Sequence, residues 1–155
     1  MNKFLLSVHV LAAIIFIGPV TVAASMFPPV ARRELAADRP ETAVLRVLHR
    51  ISNVYAVGGI AVPVFGLAVG AGLGVLGEVW LIVSMGLTAL AAGVLLLAVL
   101  PTQAEVLAVA GQDGEARAAL LPRARKLSMT TGIFGLLWAT VTVLMIIRPG
   151  STTGV

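Results

Sequence analysis

Long charge-free apolar runs organise the chain. Residues 4–31 and residues 51–77 contain no charged side chain. A third run starts after Glu78 and reaches about Leu100, just ahead of Pro101. A fourth covers 127–147 and stops at Arg148, Pro149 and Gly150. Each run meets or exceeds the roughly 20 residues that carry a helix across hydrocarbon. In that solvent a lone segment must satisfy its own backbone donors and acceptors, so each run is read as a helix. The pattern predicts an all-α polytopic membrane protein, a four-helix transmembrane bundle forming one domain over 1–155. Its spans are expected at about 4–30, 51–75, 79–100 and 127–147, with loops at 31–50 and 101–126.

Breakers and small residues refine that outline. Gly18–Pro19 and Pro63 predict kinks, because proline removes a backbone donor and clashes one turn back. Gly66, Gly70 and Gly74 recur every fourth residue, a stripe that admits a neighbouring backbone and marks a helix-packing face. Pro40 suits a first helical turn, and Val44, Leu45, Val47, Leu48 and Ile51 follow at helical spacing with arginines between them. That stretch is expected to lie at the headgroups as an amphipathic lead-in. Residues 111–114 (GQDG) read as a turn, and 115–121 as a second short helix limited by Pro122. The halves also resemble each other: 49–59 (HRISNVYAVGG) against 125–135 (RKLSMTTGIFG), each after a proline exit at Pro28–Pro29 or Pro101. Such halves would be two parallel helix-pair repeats about an axis along the membrane normal.

Composition agrees with a bilayer as solvent. The chain is 59% hydrophobic and 12% charged, with a mean hydropathy of +1.03. Soluble domains run nearer 45–50% apolar and about a quarter charged. The net charge of +4 does not point to nucleic acid, because the basic residues flank apolar segments. There they read as a topology signal and as contacts for anionic headgroups. Arg32, Arg33, Arg39, Arg46 and Arg50 occupy the first loop, and Arg117, Arg123, Arg125 and Lys126 the second. The positive-inside rule then places both loops in the cytoplasm and both termini outside. A cleaved leader is the competing reading of the N-terminus, with 21–25 (TVAAS) as its cleavage site. The apolar run is about twice the length of a leader core, and the arginines after it outweigh Lys3, so it is read as a span. Cysteine is absent, which excludes thiolate ligands and disulfides.

Polar residues inside spans are functional candidates by default. His9 is the main one, with Asn53 and Tyr55 in the second span. His49, Arg32, Arg33, Arg46, Arg50, Arg125 and Lys126 read as a belt for anionic lipid headgroups. Residues 5–18 (LLSVHVLAAIIFIG) resemble the first helix of a family of uncharacterised small four-helix bacterial membrane proteins. More distantly they resemble the copper-resistance D-type and membrane protoporphyrinogen oxidase families, which share an early histidine and a glycine nine residues later, here His9 and Gly18. The resemblance implies a bacterial cytoplasmic membrane and, through the haem-linked relatives, a cofactor role for His9.

Depth separates the histidines. About 18 residues of helix lie between His9 and the inner boundary, and at 1.5 Å each they put His49 roughly 27 Å away. The two cannot hold one metal ion. Met85 and Met145 lie at the depth of His9 and offer soft partners for haem iron or Cu(I). No second histidine accompanies His9, and no ionisable group occupies the middle of another span. The leading reading is therefore a non-enzymatic accessory or assembly module with no cofactor, contacting lipid and other membrane proteins or itself. The alternative is a haem- or copper-binding redox protein using His9, and the third is a small transporter.

Nine of the eleven Lys and Arg residues fall in the two loops, and this makes a direct test of topology. Reporters fused at either terminus should read outside, and reporters near Asp38 or Asp113 should read cytoplasm. A cytoplasmic C-terminal fusion contradicts the four-span topology.

Overall fold

The computed structural model describes residues 2–151. Four long helices make up nearly all of it: α1 (Lys3–Ala36), α2 (Ala43–Leu73), α3 (Val79–Ala110) and α4 (Gly114–Ile147). α1 and α4 have 34 residues each. At about 1.5 Å per residue that is about 51 Å, well beyond a hydrocarbon core of about 30 Å. The excess stands at the end where α1 meets α2 and α3 meets α4, called here the basic end because the arginine-rich segments lie there. The opposite end carries both termini.

This extent corrects several local expectations. The segments 31–50 and 101–126 are mostly continuations of the spans, not helices lying along headgroups, and only 37–42 and 111–113 leave helix. Pro101 does not end the third span, since helix runs through it to Ala110. Pro122 limits no short helix either, and lies inside α4. Pro122 stands among arginines ahead of the charge-free run, where water can satisfy the carbonyl that a proline leaves unpaired, so it need not end a helix. Asp113 starts α4 by accepting a hydrogen bond from the Ala116 N–H at 2.9 Å.

Inside the spans the prolines are absorbed by local changes of helical pitch. α1 widens to a π turn at Ala13–Ile17 and α3 at Leu95–Val99, each two residues before a proline, Pro19 or Pro101. Pro19 and Pro101 would clash with the carbonyl one α-turn back, and a wider turn draws that carbonyl away. The Leu100 N–H accordingly donates to the Leu95 carbonyl, five residues back. The structural counterpart of Pro101 is thus Pro19, not the Pro28–Pro29 pair. In α2, Pro63 is met by a break at Gly59–Ile60, where the Ile60 and Val62 N–H groups reach only three residues back, at 3.2 Å and 3.0 Å.

α1 packs on α2 and α4, and α4 packs on α3. In the half near the termini the helices associate two by two, α1 with α2 and α3 with α4. The half near the basic end is denser. There Val20, Phe27, Ala31, Leu45, Val99, Val106 and Ala124 are fully buried, and the alanines allow close approach of neighbouring helices. At the other end the Arg148 guanidinium lies 5.5 Å from the centre of the Trp80 ring, tying the end of α4 to the start of α3.

The glycine stripe of α2 divides into different roles. A Cβ at Gly66 would stand 2.9 Å from the His9 ring, and one at Gly70 2.9 Å from Leu81. Gly74 packs on nothing. It ends the helix at φ +70°, with its N–H on Ala71 and the Val75 N–H on Gly70. Gly58 meets Phe16 the same way, its Cβ position 2.3 Å from that ring.

Two alanine substitutions test this packing. Gly66→Ala should lower the stability of the detergent-solubilised protein by about 1–3 kcal/mol through overpacking. Gly86→Ala, where a Cβ meets nothing, should be neutral or slightly stabilising through helix propensity. Equal losses at both sites contradict the assignment of Gly66 to the α1–α2 contact.

Candidate functional site

Polar side chains gather where α2 begins and α3 ends. His49, Ser52 and Asn53 sit three and four residues apart, so they share one face of α2. That face meets Gln103 of α3, which is fully buried. The bonds run in one direction. Asn53 Nδ2–H donates to His49 Nε2 at 3.0 Å. His49 Nδ1–H donates to Gln103 Oε1 at 3.0 Å. Gln103 Nε2–H donates to Ser52 Oγ at 3.4 Å, and Ser52 Oγ–H donates to the Leu48 carbonyl at 2.9 Å. One imidazole tautomer, with hydrogen on Nδ1, satisfies the whole chain.

Beside this network lies a cleft of about 450 Å³. Thr42, Arg46 and His49 form its α2 wall, and Ala104, Leu107 and Ala108 its α3 wall. The neighbouring buried charges serve structure. The Glu34 carboxylate accepts from the Arg33 guanidinium at 2.8 Å and 2.9 Å and from the Glu41 backbone N–H at 2.8 Å. Arg117 donates to the Ala37 carbonyl and, at 3.4 Å, to that of Asp113. Together they clamp the α1–α2 turn onto α4. Arg32, Arg33, Arg46, Arg50, Arg125 and Lys126 stay exposed around this end, while His49 is half-buried in the network.

His9 lies in the other half of the bundle. It is 8% exposed and donates from Nδ1 to the Val62 carbonyl at 2.9 Å, over the space that Gly66 leaves. Nε2 keeps a free lone pair in that tautomer. Met85 is 41% exposed, on the outer surface of the bundle, and Met145 is half-buried. Among the described residues no three His, Cys, Asp or Glu side chains gather to hold a metal ion. Tyr55 packs on Phe16 with ring centres 6.3 Å apart. A small apolar cavity of about 100 Å³ separates the helices at mid-depth, lined by Ile17, Val20, Pro63, Leu95, Phe134 and Trp138 among others.

Reading the sequence missed Gln103, Ser52, Glu34 and Arg117. Pro101 makes the sequence pattern place Gln103 in a loop, and only the continuation of α3 brings it against α2. A serine, a histidine and an asparagine at helical spacing were the available signal, but nothing in the sequence names their partner across the bundle.

Residues 3–149 match the model of a family described as predicted integral membrane protein (DUF2269). No curated protein and no solved structure matches the chain. The match is with an uncharacterised membrane family and does not extend to the copper-resistance or protoporphyrinogen oxidase families.

The network makes a thermodynamic prediction. Gln103→Leu strands the His49 N–H and should cost about 1–2 kcal/mol of stability in micelles. His49→Leu combined with Gln103→Leu should cost less than the sum of the single changes, as for any directly coupled pair. Strict additivity in unfolding measurements contradicts the bond.

Proposed function

We propose that this chain, which belongs to the family of predicted integral membrane proteins DUF2269, is an accessory or assembly module of a bacterial cytoplasmic membrane, with its basic end in the cytoplasm and both termini outside. It works through helix and lipid contacts, without a reaction of its own. The observation that carries this reading is how the buried polar groups are used. His9 holds α1 to α2, Gln103 holds α3 to α2, and Glu34 and Arg117 hold the α1–α2 turn. Each of these buried groups has at least one polar atom bonded within the bundle. What remains open is lateral apolar surface, such as Ile14 at 64% exposed, Leu97 at 82% and Leu136 at 70%, together with the exposed arginine rim. Those are surfaces for membrane helices and anionic headgroups.

One observation favours a second reading, a haem- or copper-binding redox protein. Metal-bound histidines commonly donate their other ring N–H to a backbone carbonyl, as His9 does to Val62. A visible spectrum and metal analysis of the full chain, purified in mild detergent, separate the two readings. The assembly reading expects no Soret band, no stoichiometric copper, and a loss of about 1 kcal/mol or less in His9→Gln, since glutamine can also donate to Val62. Stoichiometric haem or copper in the wild type, lost in His9→Gln, overturns it in favour of the redox reading.

A further inference from the structure

We infer that the cleft between the start of α2 and the end of α3 binds one anionic phospholipid, with its phosphate on Arg46 and Thr42. The inference rests on the lipid-contact part of the proposed function, and adds to it a location and a stoichiometry.

The two walls of the cleft differ in chemistry. Thr42, just ahead of α2, and Arg46 and His49 on it follow at helical spacing and present polar groups. Ala104, Leu107 and Ala108 do the same on α3 and present apolar surface, with two small side chains that leave the volume open. A molecule seated in an open groove between such walls presents a charged head to one and an apolar chain to the other. A phospholipid at the end of a membrane span fits that description. Val44 and Val47, on neighbouring positions of α2, are 47% and 57% exposed, which puts lipid-facing surface beside the cleft.

The donors on the polar wall are unengaged. Arg46 makes no side-chain hydrogen bond or ion pair among the described residues, where Arg33 and Arg123 are the arginines that pair with carboxylates. The Thr42 hydroxyl caps nothing, although Thr42 is the residue that precedes α2. No side chain satisfies the first-turn N–H groups of α2, and no acidic residue stands in that turn. The positive end of the helix dipole adds to the charge of Arg46 there. The buried Glu34 carboxylate is held by Arg33 and the Glu41 N–H, and the Glu41 side chain, next to Thr42, is exposed. His49 is not a phosphate ligand in this arrangement. Both its nitrogens are used by Asn53 and Gln103, so its ring is a fixed wall. Arg32, Arg50, Arg125 and Lys126 are exposed cations outside the lining of this cleft.

Native mass spectrometry of the full chain in mild detergent tests the assignment, with phosphatidylglycerol and phosphatidylcholine offered separately. One phosphatidylglycerol per chain should survive conditions that strip phosphatidylcholine. Arg46→Gln should lower its affinity about tenfold, the effect of losing one charge-assisted contact. Ala108→Phe, which fills the cleft with Arg46 intact, should do the same, and it carries the test should Arg46→Gln fail to fold. Arg125→Gln with Lys126→Gln should leave the lipid bound. Equal losses from that pair and from Arg46→Gln overturn the cleft while leaving a diffuse lipid belt in place. No preference for phosphatidylglycerol over phosphatidylcholine overturns both the cleft and the belt. A phosphate site for a soluble ligand is the third outcome: inorganic phosphate then binds alone and displaces the lipid, which overturns the lipid assignment.

Discussion

An unpaired peptide N–H or C=O costs several kcal/mol in hydrocarbon, and the architecture answers that one constraint before Pro19, Pro63 and Pro101 and at the end of α2. Proline is the main threat to it, and each of the four helices carries at least one, in its span or in the extension of it. In α1 and α3 a π turn widens the helix just before Pro19 and Pro101. In α2 the turn tightens at Gly59–Ile60 ahead of Pro63. Where α2 ends, Gly74 adopts the left-handed conformation that lets two N–H groups close the last carbonyls. The outcome is four continuous rods whose irregularities are local.

Rods in lipid gain nothing from hydrophobic exclusion between themselves, so contact depends on close approach and on shared polar bonds. Both occur at the same places. Gly66 leaves room for the His9 ring, and the His9 N–H reaches the Val62 carbonyl across the α1–α2 contact. Gly58 does the same for Phe16, which in turn meets Tyr55. Towards the basic end, alanines bring α1, α3 and α4 together, and the Asn53–His49–Gln103–Ser52 chain joins α2 to α3. A network of this kind, closed around buried Ser52 and Gln103, favours one arrangement of helices.

The length of the helices then separates two environments. The charge-free stretch of each helix is long enough to cross hydrocarbon, and the remaining turns carry the arginines, the clamped α1–α2 turn and the cleft. Buried Glu34 and Arg117 bond to both sides of the turn, just ahead of Thr42 and Arg46. The functional proposal and the lipid site both follow from that division, because the groups left unengaged are cations at the interface and apolar surface in the membrane.

Much of this was legible in the sequence. Four charge-free runs are enough to determine four spans, since a bilayer accepts little else, and the clustering of Arg and Lys in two segments marks one end of the bundle. The disturbances at Pro19 and Pro63 could be read from proline itself. The sequence could also place His9 and His49 far apart, because helical rise converts residue number into depth. It could not say where the rods stop: a π turn carries α3 through Pro101, and α4 runs through Pro122, so neither proline ends a helix. Nor could it pair residues across the bundle. Gln103 with His49, Gly66 with His9 and Arg117 with Ala37 lie more than 50 positions apart. Their partnership is set by the rotation and register of whole helices, which depend on all the side chains at the contacts at once. For that reason the spans belonged to the sequence, and the network, the clamp and the cleft were decided only by the tertiary structure.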